Sequence, residues 1–210
     1  MLMCHARDYI SELVDVGCSV VKSGLAVASG GNLSARIPGT ETFVVTGAGA
    51  WLDKLSDETF TIMSLAGEVL EGNPKPSSEW KLHQKTFMAR PDVNSIVHVH
   101  PQHAVLLDAL GHDIRMITLD HASYIRSIGI SAFHPNGSDK LADAAAAQAQ
   151  THNCVIMRHH GCSTMGESIE MAYRRALNLE EAAIATFRAL ALGDTTTMFP
   201  ENEFHHLHHS

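Results

Sequence analysis

The chain lacks an excess of positive charge: 15 Lys and Arg stand against 23 Asp and Glu, a net charge of −8. No basic stripe offsets this balance, which excludes a nucleic-acid partner bound through clustered Lys and Arg. No stretch approaches the ~20 apolar residues of a membrane span, so no membrane association is expected. The opening residues, MLMCHARDYI, have neither the basic segment nor the long apolar run of an export signal. Cysteine is sparse, and Cys4, Cys18, Cys154 and Cys162 form no CxxC pair. Without an export signal they read as reduced thiols of a cytoplasmic protein. Pro/Gly/Ser-rich linkers and internal repeats are also missing. A chain of 210 residues, 45% of them hydrophobic, is then one domain, 1–210, able to bury a sizeable core.

Histidine, by contrast, is abundant, with 15 in the chain. Four fall in the closing segment HHLHHS, read as part of a flexible tail from about residue 200 with little functional weight. Apolar residues at helical spacing predict a helix over 5–23, stopped by Gly24. SGGNLSAR (29–36) reads as a Gly-rich turn, TFVVTG (42–47) as a strand, and FTIMSL (60–65) with EVLEG as a hairpin. Pro76-Ser77-Ser78-Glu79 reads as a helix start ahead of WKLHQKTFMAR. A strand over 95–100, a short helix over 101–110, an Ala-rich helix over 138–150 and a buried strand over 154–158 follow. The long amphipathic pattern 168–192 closes at Gly193; its Arg174-Arg175 and Glu180-Glu181 pairs read as solvated or interfacial charges. Strands grouped among helices give a layered α/β domain.

The chemistry-bearing residues begin with HVH. Alternate strand residues share a face, roughly 6.6 Å apart, so His98 and His100 can converge on one ion while Val99 turns into the core. Arg158-His159-His160-Gly161 follows a buried strand, at the kind of strand end where sites of layered α/β domains collect. Neighbours on a strand face opposite ways, so one of the two histidines, His160, is the third ligand and His159 has a supporting role. Three neutral imidazoles suit zinc, with manganese or cobalt as alternatives, and leave a position open for substrate. Glu79, at a helix N-terminus where the dipole favours a carboxylate, is the candidate acid/base. The loops around Ser29-Gly30-Gly31-Asn32, Gly47-Ala48-Gly49 and Ser77-Ser78 offer unhindered N–H groups and short hydroxyls that can cradle a phosphate.

Together these residues resemble the class II aldolase/adducin family over roughly 8–190. The matching segments are SGGNLSAR, VVTGAGAWLDKL, KPSSEWKLHQKTFMARPDVNSIVHVHPQHA and RHHGCSTMGES. The resemblance implies a three-layer fold with a central, mostly antiparallel sheet flanked by helices, and a homotetramer with active sites at subunit interfaces. It implies zinc on His98, His100 and His160, with Glu79 as acid/base and occasional fourth ligand. Phosphate contacts map onto Ser29, Asn32, Gly49, Ser77 and Ser78, with Ala48 where the sugar-phosphate aldolases commonly have threonine. The implied reaction is C–C cleavage of a short phosphorylated ketose, of the L-fuculose 1-phosphate type, through an enediolate stabilised by the metal. Decarboxylation of a keto or aromatic acid, and pentulose-phosphate epimerisation, are alternatives on the same scaffold. The fuculose-phosphate aldolases carry a tyrosine where this chain has Leu119. Tyr124 is the expected catalytic substitute, with His121 and His134 nearby.

Overall fold

The computed structural model describes residues 2–200 and 202–203; the His-rich end lies outside the described residues. The chain opens with α1 (Leu2–Lys22), whose Ile10, Leu13 and Val20 are buried at helical spacing. Gly24, at φ 75°, ends it in a left-handed conformation that suits glycine. Then come β1 (Asn32–Ile37), β2 (Thr42–Thr46), β3 (Phe60–Ser64) and β4 (Val69–Gly72). These are followed by α2 (Trp80–Ala89), β5 (Ser95–Val99), α3 (Gln102–Ala109), α4 (Leu119–Ile125) and β6 (Ile128–Ser131). The last elements are α5 (Asp139–Ala149), β7 (Cys154–Met157), β8 (Gly161–Gly166) and α6 (Ile169–Ala191).

The described strands form one eight-stranded sheet in the order β4-β3-β2-β1-β5-β8-β7-β6. Every pairing is antiparallel except β6 with β7. One face packs on α1 and α6, where Val97 and Val99 meet Leu13, Ala172 and Leu179. The other packs on α2 and α5, where Ile96 meets Leu82, Phe87, Leu141 and Ala145. Strand β5 is therefore covered on both sides, with Val99 in the core as expected and His98 on the opposite face. The arrangement is the three-layer, mostly antiparallel α/β fold. No helix among the described residues is long and apolar enough to cross a membrane.

Several expectations change. The segment read as a Gly-rich turn is mostly β1, paired with both β2 and β5. Strands β6 and β8 and helix α4 were not expected. β8 (GCSTMG) is fully buried yet carries small polar residues and two glycines, so it shows no apolar alternation. Nor are the paired charges of α6 all solvated. Arg175 is buried and donates to the carbonyl of Met165 at 2.6 Å. Glu180 accepts the amides of His103 and Ala104 at 3.0 Å each, closing the first turn of α3. Cys18, Cys154 and Cys162 are free thiols.

Candidate metal centre

His98 lies on β5 and is fully buried. Its Nδ1 lies 2.9 Å from the carbonyl of Cys162 on β8. A carbonyl only accepts, so Nδ1 carries a hydrogen and Nε2 is the atom turned to the cluster. His100 follows just past β5, where its amide donates to Leu25 at 3.0 Å. A Cβ on Gly161 would sit 2.4 Å from the His100 ring, and one on Gly31 2.6 Å from the His98 carbonyl. The place of the His100 ring thus favours glycine at 161, and the close backbone of β5 favours it at 31.

His160 joins them from the β7–β8 hairpin, not from a strand. Its neighbour His159 occupies the left-handed region at φ 56° and is exposed, its amide donating to Asp108 at 3.3 Å. His160 does reach the cluster, but a turn brings it there rather than strand alternation, and His159 turns to the surface.

Glu79 is the N-cap residue of α2 and makes no side-chain capping bond. Its carboxylate turns inward instead. Oε2 lies 3.1 Å from His98 Nε2 and accepts from Asn32 Nδ2 at 3.0 Å. Oε1 lies 3.3 Å from His160 Nε2, is buried, and has no hydrogen-bond donor. Burial raises the Glu79 carboxyl, but the His98 and His160 rings and the Asn32 amide outweigh it and hold the group below the usual carboxylate range.

The four side chains fit a divalent cation. One ligand atom from each of Glu79, His98, His100 and His160 lies within 4.8 Å of the others. His98 Nε2 and His100 Nε2 face each other at 3.1 Å, and the three ring centroids are 4.9–5.1 Å apart. Burial lowers His100 to about 4, with the neighbouring His98 and His160 rings adding to the effect, and burial lowers His160 too. Three imidazoles beside the Glu79 carboxylate form a nitrogen-rich, singly anionic donor set, which zinc favours and manganese or cobalt accepts.

A further residue escaped the sequence reading. His83 is fully buried, with Nδ1 2.6 Å from Ser34 Oγ and Nε2 in a short contact with Asn32 Oδ1. It lies one helical turn after Glu79, the i,i+4 spacing that puts both on one face of α2, and that spacing could have revealed it. Burial, with the His98 ring adding to it, lowers His83 to about 3.

The phosphate-loop candidates are only partly gathered. Gly47 bridges to Pro76, and the amides of Ala48 and Ser77 donate to Lys75 and Thr46 at 2.9 Å each, so two loops lie side by side. Ser77 is buried and its hydroxyl accepts from the Glu79 amide at 3.2 Å; Ser78 is exposed. Gly49 has φ 71° and open space beside it, and Ser29 is exposed on the loop before β1. Asn32 is at the centre of the site, but its amide is engaged at both ends by Glu79 and His83. Tyr124 is not brought to the cluster within this chain: its hydroxyl meets Arg174 of α6 at 3.2 Å. Leu119 is exposed, and His121 closes a capping box with Thr118 at the start of α4. A cavity of about 480 Å³ opens beside His100 and His160 along α3.

Comparison with known proteins agrees with this geometry. The family model for the class II aldolase and adducin N-terminal domain matches residues 11–186. The chain is 28% identical over 207 residues to the 5-deoxy-D-ribulose 1-phosphate aldolase of Bacillus thuringiensis serovar kurstaki, covering 99% of this chain and 95% of that one. It is 30% identical over 168 residues to an L-fuculose phosphate aldolase of Methanococcus maripaludis, covering 80% and 90%. The crystal structure of the L-fuculose-1-phosphate aldolase from Thermus thermophilus superposes with a TM-score of 0.78 at 26% identity, over 90% of this chain and 98% of that one. With its sheet order, its histidine cluster and a match across most of its length, the chain belongs to the class II aldolase and adducin family.

Proposed function

We propose that the chain is a zinc-dependent aldolase that cleaves the C–C bond of a short ketose 1-phosphate into dihydroxyacetone phosphate and an aldehyde. The observation that carries this reading is the convergence of three imidazoles on a buried carboxylate with one unsatisfied oxygen. His98, His100 and His160 would hold the ion. Bound there, a divalent cation supplies Lewis-acid stabilisation of negative charge developing on the substrate's oxygens. As the C–C bond breaks, the hydroxyl whose carbon becomes the aldehyde gives up its proton and the carbon left behind takes one; Glu79, ionised at neutral pH, accepts the first and returns it to the second. Ser78, Gly49 and Ser29 offer donors to the phosphate from their loops, and the cavity along α3 gives the substrate room beside the metal.

The names of the relatives support an aldolase over the decarboxylase and epimerase alternatives. A homotetramer with sites at its interfaces belongs to the same reading. Exposed Leu106, Leu110 and Phe187 give it apolar surface to bury. So does cytoplasmic placement, supported by the free thiols. The test is a panel of ketose 1-phosphates with the zinc-loaded protein, scored for dihydroxyacetone phosphate and aldehyde in equal amounts. Carbon dioxide from a keto acid, or epimerisation without cleavage, would overturn the proposal.

A further inference from the structure

The two oxygens of Glu79 have different surroundings, and their difference traces back through three buried residues. Asn32, Ser34 and His83 are 4%, 0% and 0% exposed, so no water competes for their polar atoms. We infer that Ser34, His83 and Asn32 form a one-way hydrogen-bond chain that pins Glu79 Oε2 and leaves Oε1 as the oxygen presented to the substrate. The inference rests on Glu79 acting as the proton carrier of the proposed reaction. All three are positioning residues: Asn32, expected among the phosphate contacts, has both ends of its amide taken by Glu79 and His83, and Ser34 and His83 act only through it.

The direction of the chain follows from donor and acceptor chemistry alone. A carboxylate only accepts, so the Asn32 end that meets Oε2 at 3.0 Å is the NH2 group. Oδ1 therefore faces His83, and a carbonyl oxygen accepts, so His83 Nε2 carries its hydrogen. Burial keeps the ring neutral. Nδ1 then has a lone pair, and the Ser34 hydroxyl at 2.6 Å must donate to it. Each bond thus donates toward the carboxylate: Ser34 O–H to Nδ1, Nε2–H to Oδ1, and Nδ2–H to Oε2. Such a chain strengthens its last member, because each donor is polarised by the one behind it.

His83 also decides which way the Asn32 amide points. A flipped amide would set Oδ1 against the Glu79 carboxylate and an N–H against the N–H of His83. Both contacts are repulsive, in a space without water to relieve them. With Oε2 held by Asn32 and facing His98, the carboxylate cannot rotate freely. Oε1 is left buried with no hydrogen-bond donor, 3.3 Å from the His160 ring.

The test compares His83→Leu, which keeps bulk but removes the donor, with His83→Gln, which returns an N–H near the Nε2 position. In the zinc-loaded full chain, His83→Leu should lower kcat roughly 10- to 100-fold, the scale of a mispositioned catalytic group, with KM within about 3-fold. His83→Gln should recover most of the loss. Two readouts are independent of turnover. Histidine 15N spectra of the wild type should show His83 as the neutral Nε2–H form between pH 6 and 8. The visible spectrum of the cobalt-loaded protein should change in His83→Leu, where the freed carboxylate can turn onto the ion, and not in His83→Gln. An Nδ1–H or cationic His83 overturns the chain outright, even if His83→Leu fails to fold. Equal kcat in His83→Leu and wild type, or a glutamine variant as defective as leucine, also overturns it. If no ketose phosphate is cleaved, the proposed function falls while the two spectra still decide the chain.

Discussion

Replacing Glu79 by glutamine isolates proton transfer from every other duty of that side chain. The two residues have nearly the same size and shape. The glutamine carbonyl can take the place of Oε2 and accept from Asn32, which stands at 3.0 Å. Its NH2 then occupies the place of Oε1, 3.3 Å from His160 Nε2. The pocket is filled, the Asn32–His83 chain stays bonded, and the three imidazoles keep their lone pairs for the cation. What disappears is the group that can take and return a proton. A lost general acid–base residue costs about 10²- to 10⁴-fold in rate, equivalent to about 3–5 kcal/mol at 1.36 kcal/mol per decade. The assay is release of dihydroxyacetone phosphate at saturating zinc, with zinc content measured on the same sample. Turnover should fall by at least two decades while the metal stays near the wild-type stoichiometry. Turnover within about 3-fold of wild type, with metal retained, would refute the role given to Glu79.

Four further outcomes are expected. His98→Ala should lose metal and activity together, because two imidazoles and a carboxylate hold zinc far more weakly; dialysis followed by metal analysis checks it. Gly161→Ala puts a methyl 2.4 Å from the His100 ring. Overpacking of this kind costs about 1–3 kcal/mol, and weaker zinc binding should accompany a lower urea midpoint. Ser78→Ala removes an exposed hydroxyl and should raise KM for a ketose 1-phosphate about 10-fold, the scale of one hydrogen bond to a charged group, with little change toward an unphosphorylated ketose. The metal-free protein should lose stability as pH falls. Burial lowers His83 to about 3 in the fold, so its neutral form is favoured there. Its contribution is complete above the unfolded value near 6.5 and erodes as pH drops below it, by about 2 kcal/mol at pH 5. Urea midpoints at pH 7.5 and 5.0 measure this, and equal midpoints would contradict it.

What can be read from the residues follows from which periodicities survive burial. HVH is legible because strand geometry alone sends His98 and His100 to one face and Val99 to the other. Glu79 is legible as a helix start, and it is the N-cap residue of α2. Strand alternation points to His160, whereas a left-handed His159 in a hairpin turn selects it. The central strand β8 is hidden for the opposite reason: it is buried along its whole length and built mostly from small residues, so it shows no clear alternation. β1 does alternate, with Leu33, Ala35 and Ile37 against Asn32, Ser34 and Arg36, but Gly30-Gly31 ahead of it make the segment read as a turn. His83 looks like one polar residue on an amphipathic helix, and only its distance to Asn32 and Ser34 reveals its partners. Loop residues such as Ser29, Gly49 and Ser78 carry no periodicity, and the two loops that hold Gly49 and Ser78 are joined by a bridge from Gly47 to Pro76 that no local pattern encodes. Tyr124 stands out for its place in the chain, but helix packing sends it to Arg174.

The most direct test is the X-ray absorption spectrum and metal content of the purified full chain. One zinc per chain is expected, bound by three imidazole nitrogens at about 2.0–2.1 Å, with binding lost in His98→Ala. A wild-type protein that retains no divalent metal at stoichiometric levels, or one whose zinc survives loss of His98 unchanged, would contradict the metal centre on which the proposed reaction depends.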